Sequence, residues 1–78
     1  MIRVLLFAGL KERAGKGSLE LNVEPAATVA ELRTAAIAAC PSLDSQVFRI
    51  ALGNEYAEED DILGEVQEVA FIPPVSGG

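Results

Sequence analysis

Glu68-Val69-Ala70-Phe71-Ile72-Pro73-Pro74-Val75-Ser76-Gly77-Gly78 is the stretch from which the rest of this chain can be read. After one acid, its opening residues are apolar, β-branched or aromatic, and a proline that cannot donate to a sheet ladder stops them; they predict a final strand, Glu68 to Ile72. Pro73 and Pro74 fix φ and favour a polyproline-like extension that holds the following residues away from the globule. Gly77 and Gly78 carry no Cβ, so a chain ending in them can pass down a channel too narrow for any other side chain and present its carboxylate inside an enzyme. At an average glycine usage of about 7%, two closing glycines arise by chance in about one chain in 200. The expected division is a folded domain, 1–72, and a working tail, 73–78. Pro73, Pro74, Val75, Ser76 and Gly77 would be the channel-binding part and the Gly78 carboxylate the reacting group.

Working outward from that strand, Thr28-Val29-Ala30-Glu31 has the spacing of a capping box, in which Thr28 accepts from the Glu31 amide and Glu31 answers at Thr28. A helix is predicted from there, with Val29, Leu32, Ala36 and Ala39 on the apolar face, Ile37 beside them, and Pro41 as its stop. Ile2 to Ala8 is nearly all apolar, which predicts a strand covered on both faces at the centre of a sheet. Gly9 to Ser18 reads as a charged connection with room for one helical turn. Leu19, Leu21 and Val23 alternate with Glu20 and Asn22, the pattern of an edge strand forming an antiparallel hairpin with the first. Val47 to Leu52 reads as a further strand, with Gly53-Asn54 as a turn before Glu55-Tyr56-Ala57. The fold class expected is α+β, a small mixed sheet with one main helix packed across it in the order β-β-α-β-β.

Composition bounds the function. Seventy-eight residues make one domain that buries about 60% of the surface its unfolded chain exposes. A net charge of −6 repels a phosphate backbone, so no nucleic-acid partner is expected. No stretch approaches the roughly 20 apolar residues of a membrane helix. The apolar N-terminal run is short and lacks a cleavage site, so it reads as a strand rather than a leader. The single cysteine, Cys40, excludes an internal disulfide framework, and the expected location is cytoplasmic. Glu58-Glu59-Asp60-Asp61 lacks the interleaved ligands and turn glycine of a calcium loop and reads as a solvated loop; no metal site is expected. With no histidine, no Cys-x-x-Cys pair and no phosphate-binding glycine loop, the chain has little with which to catalyse a reaction alone. Cys40, at a helix C-terminus where the dipole disfavours a thiolate, reads as packing, and Ser76, without a neighbouring base, as a small spacer.

The strand Ile2 to Ala8, the capped helix after Thr28 and above all the ending Pro-Pro-Val-Ser-Gly-Gly resemble the small, sulfur-carrying subunit of molybdopterin synthase, the MoaD family. The resemblance covers essentially the whole chain, and it implies a ubiquitin-like β-grasp fold whose first and last strands run parallel at the centre of the sheet. It further implies that an E1-like adenylating enzyme (MoeB-like) uses ATP and magnesium to convert the Gly78 carboxylate to an acyl-adenylate, and that a persulfide sulfur donor converts this to a thiocarboxylate. The tail would then enter the large synthase subunit (MoaE-like), in a heterotetramer, and donate sulfur to cyclic pyranopterin monophosphate. This chain itself would bind no cofactor. Phe7, Tyr56 and Ile72 match partner-facing positions of the family; for Phe7 and Ile72 core packing is the competing reading. One departure is Val66, in Glu65-Val66-Gln67, where the family carries a turn glycine; either the turn is rebuilt around Gly64 or the register is displaced. Two other classes of function remain open: a ubiquitin-like protein modifier or sulfur carrier of another pathway (thiamine, cysteine), and a non-catalytic β-grasp interaction module.

Overall fold

The structure, a computed structural model, describes residues 1–53 and 55–74. Five strands and two helices follow in the order β1 (Ile2–Leu6), α1 (Ala8–Ala14), β2 (Ser18–Leu21), α2 (Val29–Ala39), a 3-10 turn (Pro41–Leu43), β3 (Arg49–Leu52), β4 (Glu55–Tyr56) and β5 (Glu68–Ile72). The sheet order is β2-β1-β5-β3-β4. β1 pairs antiparallel with β2 and parallel with β5, in the register Val4 to Val69 and Leu6 to Phe71. β5 pairs antiparallel with β3, and β3 with β4. This is the ubiquitin-like β-grasp, with its first and last strands side by side at the middle of a mixed sheet. No helix among the described residues is long and apolar enough to cross a membrane.

Both helices cover the same face of the sheet. Ile2, Val4 and Leu6 of β1, Leu19 and Leu21 of β2, Ile50 of β3, and Val69 and Phe71 of β5 are buried against Leu10 of α1 and Val29, Leu32 and Ala36 of α2. Phe48 closes the core at one side, its ring stacked on Phe71 at 4.6 Å between centroids and 17° between planes, the close parallel contact in which aromatic pairs exceed their area burial. The expectation that β1 is covered on both faces is corrected: its burial alternates, Arg3 is exposed and Leu5 half-buried, because among the described residues no second layer lies on the other side. The strand also ends at Leu6 rather than Ala8.

The connection after β1 holds a seven-residue helix instead of a single turn. It begins with the Leu10 and Lys11 amides donating to the Phe7 carbonyl and ends at Gly15, whose φ of 76° and amide bond to the Lys11 carbonyl form a left-handed cap. A helix this short is unstable alone and shows no periodicity of its own; the buried Leu10 side chain anchors it. The sequence order β-β-α-β-β is thus expanded by α1 and by the two-residue strand β4.

α2 begins as its capping box predicts, with the Glu31 amide donating to Thr28 Oγ1 at 3.2 Å and the Thr28 amide to Glu31 Oε1 at 2.8 Å. Ala39, expected on the buried face, is exposed; Cys40, four residues after Ala36, is buried in its place. The acid run is tied to this helix by backbone. The Val29 and Ala30 amides, which have no partner within the helix, donate to the carbonyls of Asp61 and Glu59 at 2.9 Å each. β3 starts at Arg49, two residues later than expected, since Val47 is exposed and Phe48 turns into the core. The Gly53-Asn54 turn prediction is carried by Gly53, at φ 64°; Asn54 lies outside the described residues. Before β5 the turn is rebuilt around Gly64, whose φ is 69°, and Val66 keeps an ordinary negative φ, as its β-branched side chain requires.

Two stability outcomes follow. Leu32→Ala, at a fully buried position, lowers unfolding free energy by about 2–5 kcal/mol in a denaturant titration. Gly64→Ala costs about 1 kcal/mol or more through its positive φ, and Val66→Gly, which would restore the family's turn glycine, fails to stabilise the protein in the same assay.

Candidate docking face and tail root

The uncovered face of the sheet is laid out in rows by strand register. Side chains alternate between faces along a strand, so the residues between the core positions all stand on the open side. The first row holds Glu20, Arg3 and Glu68, the second Ser18, Leu5, Ala70, Ala51 and Tyr56, and the third Ile72 and Arg49. Phe7 follows Leu6 in extended conformation (φ −124°, ψ 152°) and continues the alternation into the third row. The hydrophobic core cluster excludes every apolar member of these rows, including Ala51, which is only 6% exposed. The face therefore passes from a charged row, through a mixed row with Leu5, Ala70 and Ala51 at its middle, to a row with the large apolar Phe7 and Ile72.

The large apolar row lies at the end where the tail begins. β5 runs parallel to β1, so Ile72 and Phe7 occupy the same end of the sheet. Pro73, lacking an amide proton, stops the ladder after the Ile72–Arg49 pair. Pro73 is half-buried and Pro74 exposed. Val75, Ser76, Gly77 and the proposed reacting group at Gly78 lie outside the described residues.

The three residues proposed to meet a partner stand on this one face. Phe7 is 46% and Tyr56 53% exposed, while Ile72 is half-buried. The core-packing alternative for Phe7 is thereby removed, and Ile72 is not part of the core cluster. Phe7 is held outward by an unusual backbone: Ala8 has φ 49°, the one positive value among the described non-glycine residues, which lets β1 turn directly into α1. Left-handed geometry costs an alanine about 1 kcal/mol, so the rest of the fold must supply that energy. Sequence reading missed Leu5, Ala51, Ala70 and Arg49. The signal was available in the alternation of Ala70 with Val69 and Phe71, once the strand is known to have one open face.

Arg49 lies over the Tyr56 ring, its guanidinium carbon 4.1 Å from the ring centroid. A cation so placed over a ring is attracted by the ring's quadrupole, which favours this arrangement of the two side chains. On the other layer Arg33 makes paired contacts to Glu59, at 3.0 to 3.2 Å, and lies 4.8 Å from the Phe48 centroid. Within the acid run, the Glu58 amide donates to Asp61 Oδ2 at 2.8 Å, so two of its carboxylates, Glu59 and Asp61, serve the fold. An open groove of about 670 Å³ lies at the opposite end of the sheet, bordered by Arg3, Glu20 and Glu68, and is remote from the tail root.

Cys40 is 8% exposed, within the core at the end of α2, with its Sγ 3.3 Å from Ser42 Oγ. It lies across the sheet from the open face.

A family model described as the ThiS family matches residues 4–78. The molybdopterin synthase sulfur carrier subunit of Chlamydomonas reinhardtii is 40% identical over 99% of this chain and 98% of its own length. Small archaeal modifier protein 1 of Haloferax volcanii is 34% identical over 94% of this chain and 95% of its own. The crystal structure of SAMP1 from Haloferax volcanii superposes with a TM-score of 0.86 at 30% identity, covering 99% of this chain and 98% of that one.

Burial of Cys40 sets an outcome for thiol labelling. The native protein reacts with a disulfide reagent at least about tenfold more slowly than the unfolded chain, since attack needs an accessible thiolate.

Proposed function

The chain belongs to the ThiS family, and from that premise we propose that it is a sulfur carrier, the small subunit of a molybdopterin synthase, whose working atom is the terminal carboxyl of Gly78. The observation that carries this reading is the coincidence of two features at one end of the molecule. The strand leading to the tail ends at Ile72, and the row that holds the large apolar Phe7 and Ile72 together with Arg49, with Tyr56 beside it, is found at that same end. Gly78 lies six residues beyond Ile72, a span of at most about 20 Å when fully extended. An enzyme that reaches Gly78 must bring its surface against this face.

The chemistry assigned to the tail is acyl activation followed by sulfur transfer. A carboxylate is a poor acyl donor. Its attack on the α-phosphate of ATP, on an E1-like enzyme that holds the magnesium, expels pyrophosphate and gives an acyl-adenylate. The terminal sulfur of a persulfide displaces AMP from the acyl carbon, and a second thiol cleaves the resulting acyl disulfide. The Gly78 thiocarboxylate so formed has a soft, readily ionised sulfur, a competent nucleophile near neutral pH. Carried into the large synthase subunit, it passes sulfur to cyclic pyranopterin monophosphate. The body holds no histidine and its one thiol is buried, which supports a division in which the partners supply the catalytic groups. The names of the Chlamydomonas relative and of its counterparts in Arabidopsis thaliana and Synechococcus elongatus favour this pathway over others.

A second reading has its own support. The similarity to small archaeal modifier protein 1 in sequence and in fold favours a protein tag, activated in the same way and joined through Gly78 to lysines of other proteins. The product separates the two.

Intact mass spectrometry of the protein from sulfur-replete cells is expected to show one oxygen of Gly78 replaced by sulfur. Lysine adducts without that species would support the tag instead, and the absence of both products would overturn activation at Gly78. Phe7→Ala and Ile72→Ala are each expected to weaken binding to the large subunit by about tenfold or more, as truncation of buried anchors does, measured by calorimetry.

A further inference from the structure

We propose that Arg49, held against the Tyr56 ring on the open face, selects the partner by requiring it to bring a carboxylate side chain set among apolar ones. The proposal rests on the docking reading above and names the chemistry that must meet the face. Arg49 is the cross-strand neighbour of Ile72, and its guanidinium lies 4.1 Å from the Tyr56 centroid. A surface that covers Ile72 and Tyr56 therefore also covers this charge. A guanidinium does not give up its proton, and removal from water without an ionic partner is strongly unfavourable.

Nothing described within the chain compensates it. Arg3 stands between Glu20 and Glu68 in its row, and Arg33 is paired with Glu59. Arg49 has no ion pair among the described residues; its row neighbour is the apolar Ile72. The N–H donors of a guanidinium lie in its plane, the geometry in which a carboxylate binds with two parallel bonds. The partner is therefore the one to supply that carboxylate.

The sign of this demand makes it selective. The chain carries a net charge of −6, with acids crowded between Glu55 and Glu68, so its long-range field draws basic surfaces. At the contact itself the requirement is the reverse. A surface that satisfies only the field meets an unpaired cation in the apolar row and is rejected, which is how discrimination arises beyond affinity.

The test is calorimetric titration of the full chain with the purified large subunit of molybdopterin synthase, comparing wild type with Arg49→Glu, Arg49→Lys, Phe7→Ala and Ile72→Ala. Arg49→Glu is expected to weaken binding by about 100-fold or more while Arg49→Lys loses far less, the pattern of a partnered interface charge. Replacing the facing acidic residue of the large subunit with arginine is expected to restore binding to Arg49→Glu, which a merely structural role would not do. Circular dichroism of the free variants checks that the fold is kept, since Arg49 is exposed. Binding of Arg49→Glu within about twofold of wild type, with Phe7→Ala and Ile72→Ala weakened, overturns the role of Arg49 and leaves the docking face standing. Undiminished binding by all four variants, or no binding by wild type, overturns both.

Discussion

The parallel pairing of β1 with β5 is the constraint on which the rest of the molecule depends. It joins the first strand to the strand that leads into the tail, in the register Arg3 to Glu68 through Leu6 to Phe71. Parallel neighbours cannot be joined by a tight turn and need a crossover. Here the crossover is everything between them, including α2 across one face and β3 and β4 beyond β5. Because the crossover helices lie on one side, the other side stays open. Because the central strands are parallel, Phe7 and Ile72 emerge at the same end. The tail root and the large apolar row are thus one consequence of a single strand pairing.

Much of this was legible in the residues, and the failures have physical causes. Val69 and Phe71 with Pro73 gave β5 to the residue, because apolar β-formers bounded by a proline leave little choice. Thr28 and Glu31 gave the start of α2, because a capping box is a local, reciprocal pair of hydrogen bonds. α1 was less legible, since its formation depends on one tertiary contact, Leu10 in the core, and on glycine closure at Gly15. The apolar run of β1 was misread as doubly covered because Leu5 and Phe7 are apolar for a reason outside the core. The same error concealed Ala51 and Ala70, whose small side chains carry no signal of their own. Arg49 was missed because its significance comes from the register that sets it beside Ile72 and the strand pairing that brings it over Tyr56. The resemblance to a known family supplied Phe7, Tyr56 and Ile72; register alone supplies their shared face.

The acid run shows how charged surface residues can serve the fold. Glu59 and Asp61 offer their backbone carbonyls to the first amides of α2, groups that otherwise have no partner within the helix. The Glu59 side chain also reaches Arg33, and that arginine lies over the Phe48 ring. An exposed pair of this kind contributes little energy by itself. Its effect here is geometric, since it fixes the loop that leads through Gly64 to β5 and hence the position from which the tail departs. The run's excess charge contributes a field at longer range.

A sulfur carrier that serves more than one enzyme, as proposed for this chain, is limited in how strongly its body can bind. Large, fully apolar interfaces resemble a bisected core, a poor property for such a carrier. The open face is built differently. Its apolar centre combines the small Ala51 and Ala70 with Leu5, and the larger Ile72 and Tyr56 stand beside the charge of Arg49. On the proposed docking reading, discrimination comes from electrostatic matching at Arg49 more than from buried area. Such an arrangement separates recognition from affinity: a mismatched surface meets a desolvation penalty, while a matched one gains enough to place Gly78 and not so much that the carrier is trapped.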